Sequence, residues 1–160
     1  MTNNLDAETD MSDHHEATLW RDDLILVVPG LPENLTQPED DPFVYPSSTV
    51  EFVKLMRALD LPIEVATPRD KQTLVAHFAA EVWLPFLNIG VVVLSGAAGN
   101  LLATMVEGAF RKTDKNSLAH IDWRVKTKKG VVHHFKYDGP AKDAQRAAQR
   151  FEDSLRDDDA

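Results

Sequence analysis

The sequence predicts an α+β fold in which a small sheet of about four strands packs on three to four helices, one of them very apolar and central. Three observations lead to this class. Apolar and polar residues alternate between Leu118 and Tyr137 as in a β-hairpin, and capping-box spacing from Ser48 to Glu51 begins an amphipathic helix. The 25 residues from Val82 to Val106 carry no charged side chain. A chain of 160 residues is long enough to enclose one such core.

The charge distribution separates the start of the chain from the rest. Residues 1–41 contain 11 acidic and 1 basic side chain, whereas the whole chain has a net charge of −9. We therefore expect a disordered acidic tail at 1–20, a single α+β domain at 21–156 with a proline-rich loop at 31–46, and a frayed end at 157–160. The absence of cysteine excludes disulfides and thiol catalysis, and the sequence favours a cytoplasmic location.

The first half of the domain contains predicted elements of both types. The apolar run 24–28 predicts a buried strand, a helix follows from Ser48, and residues 61–67 predict a second strand. Thr67 and Pro68 then have the residue types of a helix N-cap and first turn, which predicts a further helix as far as Pro85. The apolar stripe of that helix would consist of Leu74, Val75, Phe78 and Val82.

The uncharged stretch has two interpretations. Because Pro85 divides it, the portion from about Leu87 to Val106 is predicted to be a buried core helix. The alternative is a membrane span or hairpin in the inner membrane, with the basic residues from Arg111 held at the cytoplasmic side. Pro85, Asn88 and Asn100 reduce its tendency to insert, so we favour the buried helix.

The C-terminal hairpin is specific enough to predict its register. A three-residue loop, Lys128-Lys129-Gly130, requires Gly130 in the left-handed conformation and places apolar residues opposite apolar ones. The predicted pairs on one face are Val125 with His133, Trp123 with Phe135 and Ile121 with Tyr137; those on the other are Lys126 with Val132, Arg124 with His134 and Asp122 with Lys136. His133 and His134 would therefore point to opposite faces.

A final helix is predicted after Asp138-Gly-Pro140. Its narrow apolar stripe would pack closely on the sheet. The stripe consists of Ala141, Ala144, Ala148, Phe151 and Leu155.

The segment from Arg111 to Lys136 carries 8 basic and 2 acidic side chains, which predicts a positive surface for a partner. The candidate interaction residues are Arg111, Lys112, Lys115, Arg124, Lys126, Lys128 and Lys129. The sequence contains no phosphate-binding loop, dinucleotide fingerprint, nucleophile elbow or zinc-protease motif, so we predict no catalytic residues, cofactor or metal. An unrecognised hydrolase using scattered residues such as His120, Asp122 and His134 remains a second alternative.

A family resemblance covers about residues 50–155. The strand Ile63 to Thr67, the helix from Gly90 to Phe110 that leads into Arg111-Lys112, and the hairpin from Ile121 through Gly130 to Phe135 resemble the effector-associated constant component domains of bacterial conflict systems. The resemblance is one of layout and residue type. It implies a non-catalytic adaptor between a sensor and an effector, and it assigns no functional residue.

We therefore expect a protein-interaction module with an effector or sensor as its partner, rather than a nucleic-acid-binding protein. A membrane-associated component, attached through the segment from Leu87 to Val106, is the first alternative.

Overall fold

A computed structural model describes residues 20–31, 41–76, 81–91, 93 and 99–159. The predicted tail therefore lies almost entirely outside the described residues. Within them, three α-helices pack on a mixed sheet, as the predicted α+β class requires. The helices are α1 (Thr49–Ala58), α2 (Leu101–Phe110) and α3 (Ala141–Asp159), with a 3-10 turn at Arg69–Lys71. The strands are β1 (Ile25–Val28), β2 (Val44–Pro46), β3 (Ile63–Val65), β4 (Thr73–Val75), β5 (Glu81–Trp83), β6 (Phe86–Ile89), β7 (Leu118–Lys126) and β8 (Val132–Pro140).

The sheet is larger than the predicted four strands. Six strands form it. The strand β3 pairs with β1, and β1 pairs with β6. The strand β7 pairs with both β6 and β5 along one of its edges and with β8 along its other edge. The β1–β3, β5–β7 and β6–β7 pairs are parallel, whereas β1–β6 and β7–β8 are antiparallel. The strands β2 and β4 form a separate parallel pair, and β2 occupies the last three residues of the predicted proline-rich loop.

The strands β5 and β6 act as one interrupted strand along β7. Trp83 is opposite His120 and Leu87 is opposite Trp123, so three residues on one strand face two on the other. This is a β-bulge, and it includes Pro85, whose missing N–H would be costly inside a regular ladder. The Trp123 indole N–H donates to the Pro85 carbonyl at 3.2 Å.

The core lies between the sheet and the three helices, with Trp123 at its centre. The Trp123 side chain is 0% exposed, and its ring centroid lies 6.0 Å from that of Phe52 on α1 and 6.3 Å from that of Phe135 on β8. Phe135 in turn lies 5.2 Å from Phe151 on α3. On the opposite face of the sheet, the side chains of β1 are buried, and Leu26 there is 5% exposed. The side chains of β7 and β8 on this face are mostly polar.

The helix predicted from Thr67 to Pro85 is wrong. The described residues there form the 3-10 turn and then β4, β5 and the bulge. The Thr67 hydroxyl caps no helix among these residues, and it accepts a 2.8 Å hydrogen bond from the Tyr45 hydroxyl instead. The β-branched residues Thr73 and Val75 suit the strand instead, and they pair with β2. Of the predicted stripe, Phe78 lies outside the described residues.

The helix predicted from Leu87 is also corrected at its beginning. Leu87 and Ile89 belong to β6, which lies between β1 and β7 and needs apolar side chains on its buried faces. Further along, the described residues Val91 and Val93 are helical, and α2, which begins at Leu101 and is mostly buried, forms the last part of the predicted helix. No helix in the described parts of the chain combines the length and apolarity that crossing a bilayer requires.

The hairpin forms as predicted. All six predicted residue pairs occur between β7 and β8, so His133 and His134 lie on opposite faces. Gly130 has a φ of 77°, in the left-handed region that the three-residue loop requires. Asp122 lies opposite Lys136 as predicted, and its carboxylate also forms a hydrogen bond with the His134 imidazole. The predicted stripe of the C-terminal helix also faces the core, and α3 continues to Asp159.

Candidate functional site: the outer face and edge of the hairpin

The candidate interaction residues separate into two groups at opposite ends of β7. Arg111 and Lys112 follow α2, and Lys115 lies in the loop before β7. The other group consists of Arg124, Lys126, Lys128 and Lys129, on the second half of β7 and in the hairpin loop. Because β7 has nine residues at about 3.3 Å each, roughly 25 Å separates its ends. The structure therefore does not bring the seven residues together into one surface.

The first group borders a groove where α2, α3 and the loop before β7 meet. Arg111 and Lys115 line it together with Lys142 from the first turn of α3. The loop is fixed to the helix because the Ala141 and Lys142 backbone N–H groups donate to Ser117 and Lys115 carbonyls at 2.8 and 3.1 Å. Lys112 is exposed beside this groove but does not line it.

The second group belongs to a surface that we call the hairpin surface. It lies on the face of β7 and β8 away from the core and around the hairpin loop. Its residues are Arg124, Lys126, Lys128, Lys129, Val131, Val132, His134 and Lys136. Six of these eight side chains are lysine, arginine or histidine, so the surface attracts anions.

Two exposed valines lie next to the cations of this surface. Val131 is 50% exposed and Val132 is 48% exposed, although both residues are strongly apolar. They follow the loop lysines directly in the sequence. On the neighbouring strand β7, the Lys126 ammonium lies 5.8 Å from the centroid of the Trp20 ring. The hairpin surface therefore combines positive charge with apolar area that a partner could cover.

The backbone of β8 has a free edge within the described residues, because β7 is the only strand with which it pairs there. The Thr127 N–H donates to the Val131 carbonyl at 3.0 Å, which identifies this pair as hydrogen-bonded. Hydrogen-bonded and non-bonded pairs alternate in an antiparallel ladder, so the N–H and C=O groups of Val132, His134 and Lys136 point away from β7. These groups can accept another strand.

A second set of polar residues lies on the same face nearer the start of β7. The His120 ring stacks on Trp83 with centroids 3.7 Å apart. Its Nδ1 atom lies 2.6 Å from Asp138 Oδ1, and its Nε2 atom faces Glu81 Oε2 at 3.6 Å. The imidazole thus links β5, β7 and β8, and both of its nitrogens are directed at carboxylates.

Of the three residues considered for hydrolysis, Asp122 and His134 come together but His120 does not join them. His134 pairs with Asp122, whereas His120 pairs with Asp138. Arg124, which is opposite His134, lies four positions from His120 on β7, and this spacing corresponds to about 13 Å. The two histidines cannot act on one substrate atom from that separation. Among the described residues, no cluster of three or more histidine and carboxylate side chains is arranged to hold a metal ion.

Comparison with protein-family models, curated proteins and solved structures gave no significant match. The sequence pattern identified the cations of the hairpin surface. It missed Val131 and Val132 as exposed residues, although the predicted register places Val132 opposite Lys126 on the polar face. The free backbone edge of β8 depends on the order of the strands and has no signal in the sequence.

Proposed function

We propose that the protein is a non-catalytic interaction module that binds an extended acidic segment of a partner along β8. The free edge of this nine-residue strand carries the proposal. An added strand would hydrogen-bond to the outward N–H and C=O groups, which is a common mode of peptide recognition. The neighbouring cations would select acidic side chains, and the exposed valines would contact apolar ones.

The resemblance to effector-associated constant component domains supports a more specific role. We propose that the partner is an effector or sensor of a bacterial defence system and that the module acts as a cytoplasmic adaptor or regulator. An adaptor needs a surface for a protein, and the hairpin surface has suitable chemistry. The apolar stretch that suggested membrane association is divided between β6 and α2, so it supplies less support for that alternative.

The experiment measures binding of a short peptide that alternates glutamate and valine, by isothermal titration calorimetry with the full chain. We expect saturable binding that weakens as salt is raised, and no binding of the matching lysine and valine peptide. Lys126→Glu combined with Lys128→Glu should weaken binding by about tenfold or more. Arg146→Glu combined with Arg150→Glu, on exposed positions of α3, makes the same charge change elsewhere and should leave binding unaltered.

Strand addition is tested by a pair of variants at one position. His134→Pro and His134→Ala both remove the imidazole and its hydrogen bond with Asp122, but only proline removes the outward N–H. Proline is tolerated on an edge strand where its nitrogen faces solvent. We expect His134→Ala to bind the acidic peptide and His134→Pro to bind it at least about tenfold more weakly. Equal binding by the two variants would exclude pairing at this edge.

A further inference from the structure

A second concave surface lies on the other side of the domain, between α1 and the segment from β3 to the 3-10 turn. It encloses about 400 Å³, within the range of small-ligand sites. We call it the α1 groove. It is lined by Thr49, Val50, Val53, Lys54, Arg57, Glu64, Val65, Thr67, Pro68, Arg69 and Gln72.

Three cations line the α1 groove. Lys54 and Arg57 come from α1, and Arg69 comes from the 3-10 turn on the opposite wall. None of them forms an ion pair within the described chain. Glu64 is the one carboxylate among the described residues of the lining, so the three cations outnumber it, and it lies 3.8 Å from the guanidinium of Arg21 outside the groove. The groove therefore has positive charge that a ligand can neutralise.

The apolar part of the lining comes from three valines. Val53 is buried, and Val50 and Val65 are partly exposed towards the groove. Branched aliphatic side chains of this kind provide an apolar contact for a flat ring. A ligand that fits both parts has several negative charges at one end and an apolar or aromatic body at the other.

The wall formed by the 3-10 turn is held in place by hydrogen bonds. The Gln72 side-chain amide donates to the Thr67 carbonyl at 2.8 Å, and the Tyr45 hydroxyl donates to the Thr67 hydroxyl at 2.8 Å. The Ala66 N–H donates to Val27 of β1 at 2.9 Å, which joins the start of this wall to the sheet. A preformed wall reduces the ordering cost of binding.

From this arrangement we infer that the α1 groove binds a phosphorylated small molecule with an aromatic body, of the nucleoside diphosphate class. Arg57 and Arg69 would each present a planar guanidinium, which matches phosphate oxygens in a bidentate manner. Lys54 would add a point charge beside them. The valines would contact the base. This binding site is independent of the peptide-binding edge of β8.

The test is calorimetric titration of the full chain with ADP, pyrophosphate and adenosine as probes. We expect ADP to bind with one-to-one stoichiometry, and both pyrophosphate and adenosine to bind at least about tenfold more weakly. Chemical shifts of the Val50, Val53 and Val65 methyl groups should change on addition of ADP. Absence of saturable ADP binding at millimolar concentration would overturn the inference, as would equal affinity for ADP and pyrophosphate.

Charge reversal locates the site. Arg57→Glu and Arg69→Glu alter exposed side chains and should each weaken ADP binding by about tenfold or more. Arg146→Glu makes the same change on the exposed surface of α3 and should bind ADP like the unmodified chain. Retention of full affinity by both groove variants would overturn the assignment to the α1 groove. Saturable binding of a polyglutamate peptide that Arg57→Glu and Arg69→Glu both weaken, in place of ADP binding, would overturn the ligand class.

Discussion

Glu152 on α3 provides a direct test of how the helices are held together. Its side chain is only 3% exposed, and its carboxylate accepts hydrogen bonds from the first three backbone N–H groups of α2. The Leu101 and Ala103 N–H groups lie 3.0 and 3.1 Å from its oxygens, and the Leu102 N–H completes the set. Asn100, at the N-cap position, makes no side-chain capping bond. Glu152 therefore caps α2 from a different helix.

Glu152→Ala would leave these three buried donors without their acceptor. An unsatisfied buried polar group costs about 1–3 kcal/mol, and water entering the vacated space would recover part of the total. We expect the free energy of unfolding to fall by roughly 3 kcal/mol. Glu152→Gln keeps one acceptor oxygen for the Leu102 and Ala103 N–H groups but places its NH2 group against the Leu101 N–H, so its cost should be smaller than that of Glu152→Ala, at about 1–2 kcal/mol.

The assay is urea denaturation followed by tryptophan fluorescence, with Asp153→Ala as the control. Asp153 is the next residue on α3, is exposed and pairs with Arg156 at the surface, so its loss should cost less than about 1 kcal/mol. If Glu152→Ala lowers stability no more than Asp153→Ala does, the interhelical cap contributes little. A cost for Glu152→Gln equal to that of Glu152→Ala would show that a single acceptor oxygen does not stabilise α2.

Two further predictions concern pH and close packing. Burial raises the pKa of Glu152, against the opposing effect of its three amide donors, so the native state keeps this proton to a higher pH than the unfolded state does. The free energy of unfolding of the unmodified chain, relative to that of Glu152→Gln, should therefore be largest below about pH 4.5 and should decline as pH rises through the raised pKa. Urea titrations at several pH values measure this difference. A difference that grows over the same pH range would contradict the prediction. Gly90→Ala would place a Cβ atom 2.2 Å from the Arg21 carbonyl oxygen and 2.5 Å from that of Asp22, and should cost about 1–3 kcal/mol. Gly130→Asn, in open space at a left-handed position, is the control and should stay within about 0.5 kcal/mol.

The hairpin could be predicted residue by residue because its constraints are local. One glycine at the loop and alternating apolar side chains on both strands determine the register, and Trp123 opposite Phe135 could be inferred from these alone. α1 and α3 were predictable for a similar reason, since their apolar residues recur with helical spacing.

The middle of the chain could not be predicted in this way. An uncharged run has no periodicity by which to tell a buried strand from a buried helix. The segment from Phe86 to Ile89 is apolar except for Asn88 because β6 lies inside the sheet. Thr67 has the residue type of an N-cap, but its hydroxyl accepts a hydrogen bond from Tyr45, which lies 22 residues earlier in the chain. The free edge of β8 and the grouping of cations in the α1 groove likewise depend on contacts between distant segments.

The bulge between β5 and β6 also constrains chain length. Trp83 and Leu87 are four residues apart and would share a face in a regular strand, but the extra residue directs Trp83 to the His120 side and Leu87 to the core. Their partners on β7, His120 and Trp123, are three residues apart, so a chain one residue shorter between Trp83 and Leu87 would keep both side chains on these faces without a bulge. With the present number of residues, a regular strand would bring one of the two side chains to the wrong face, and the bulge prevents this.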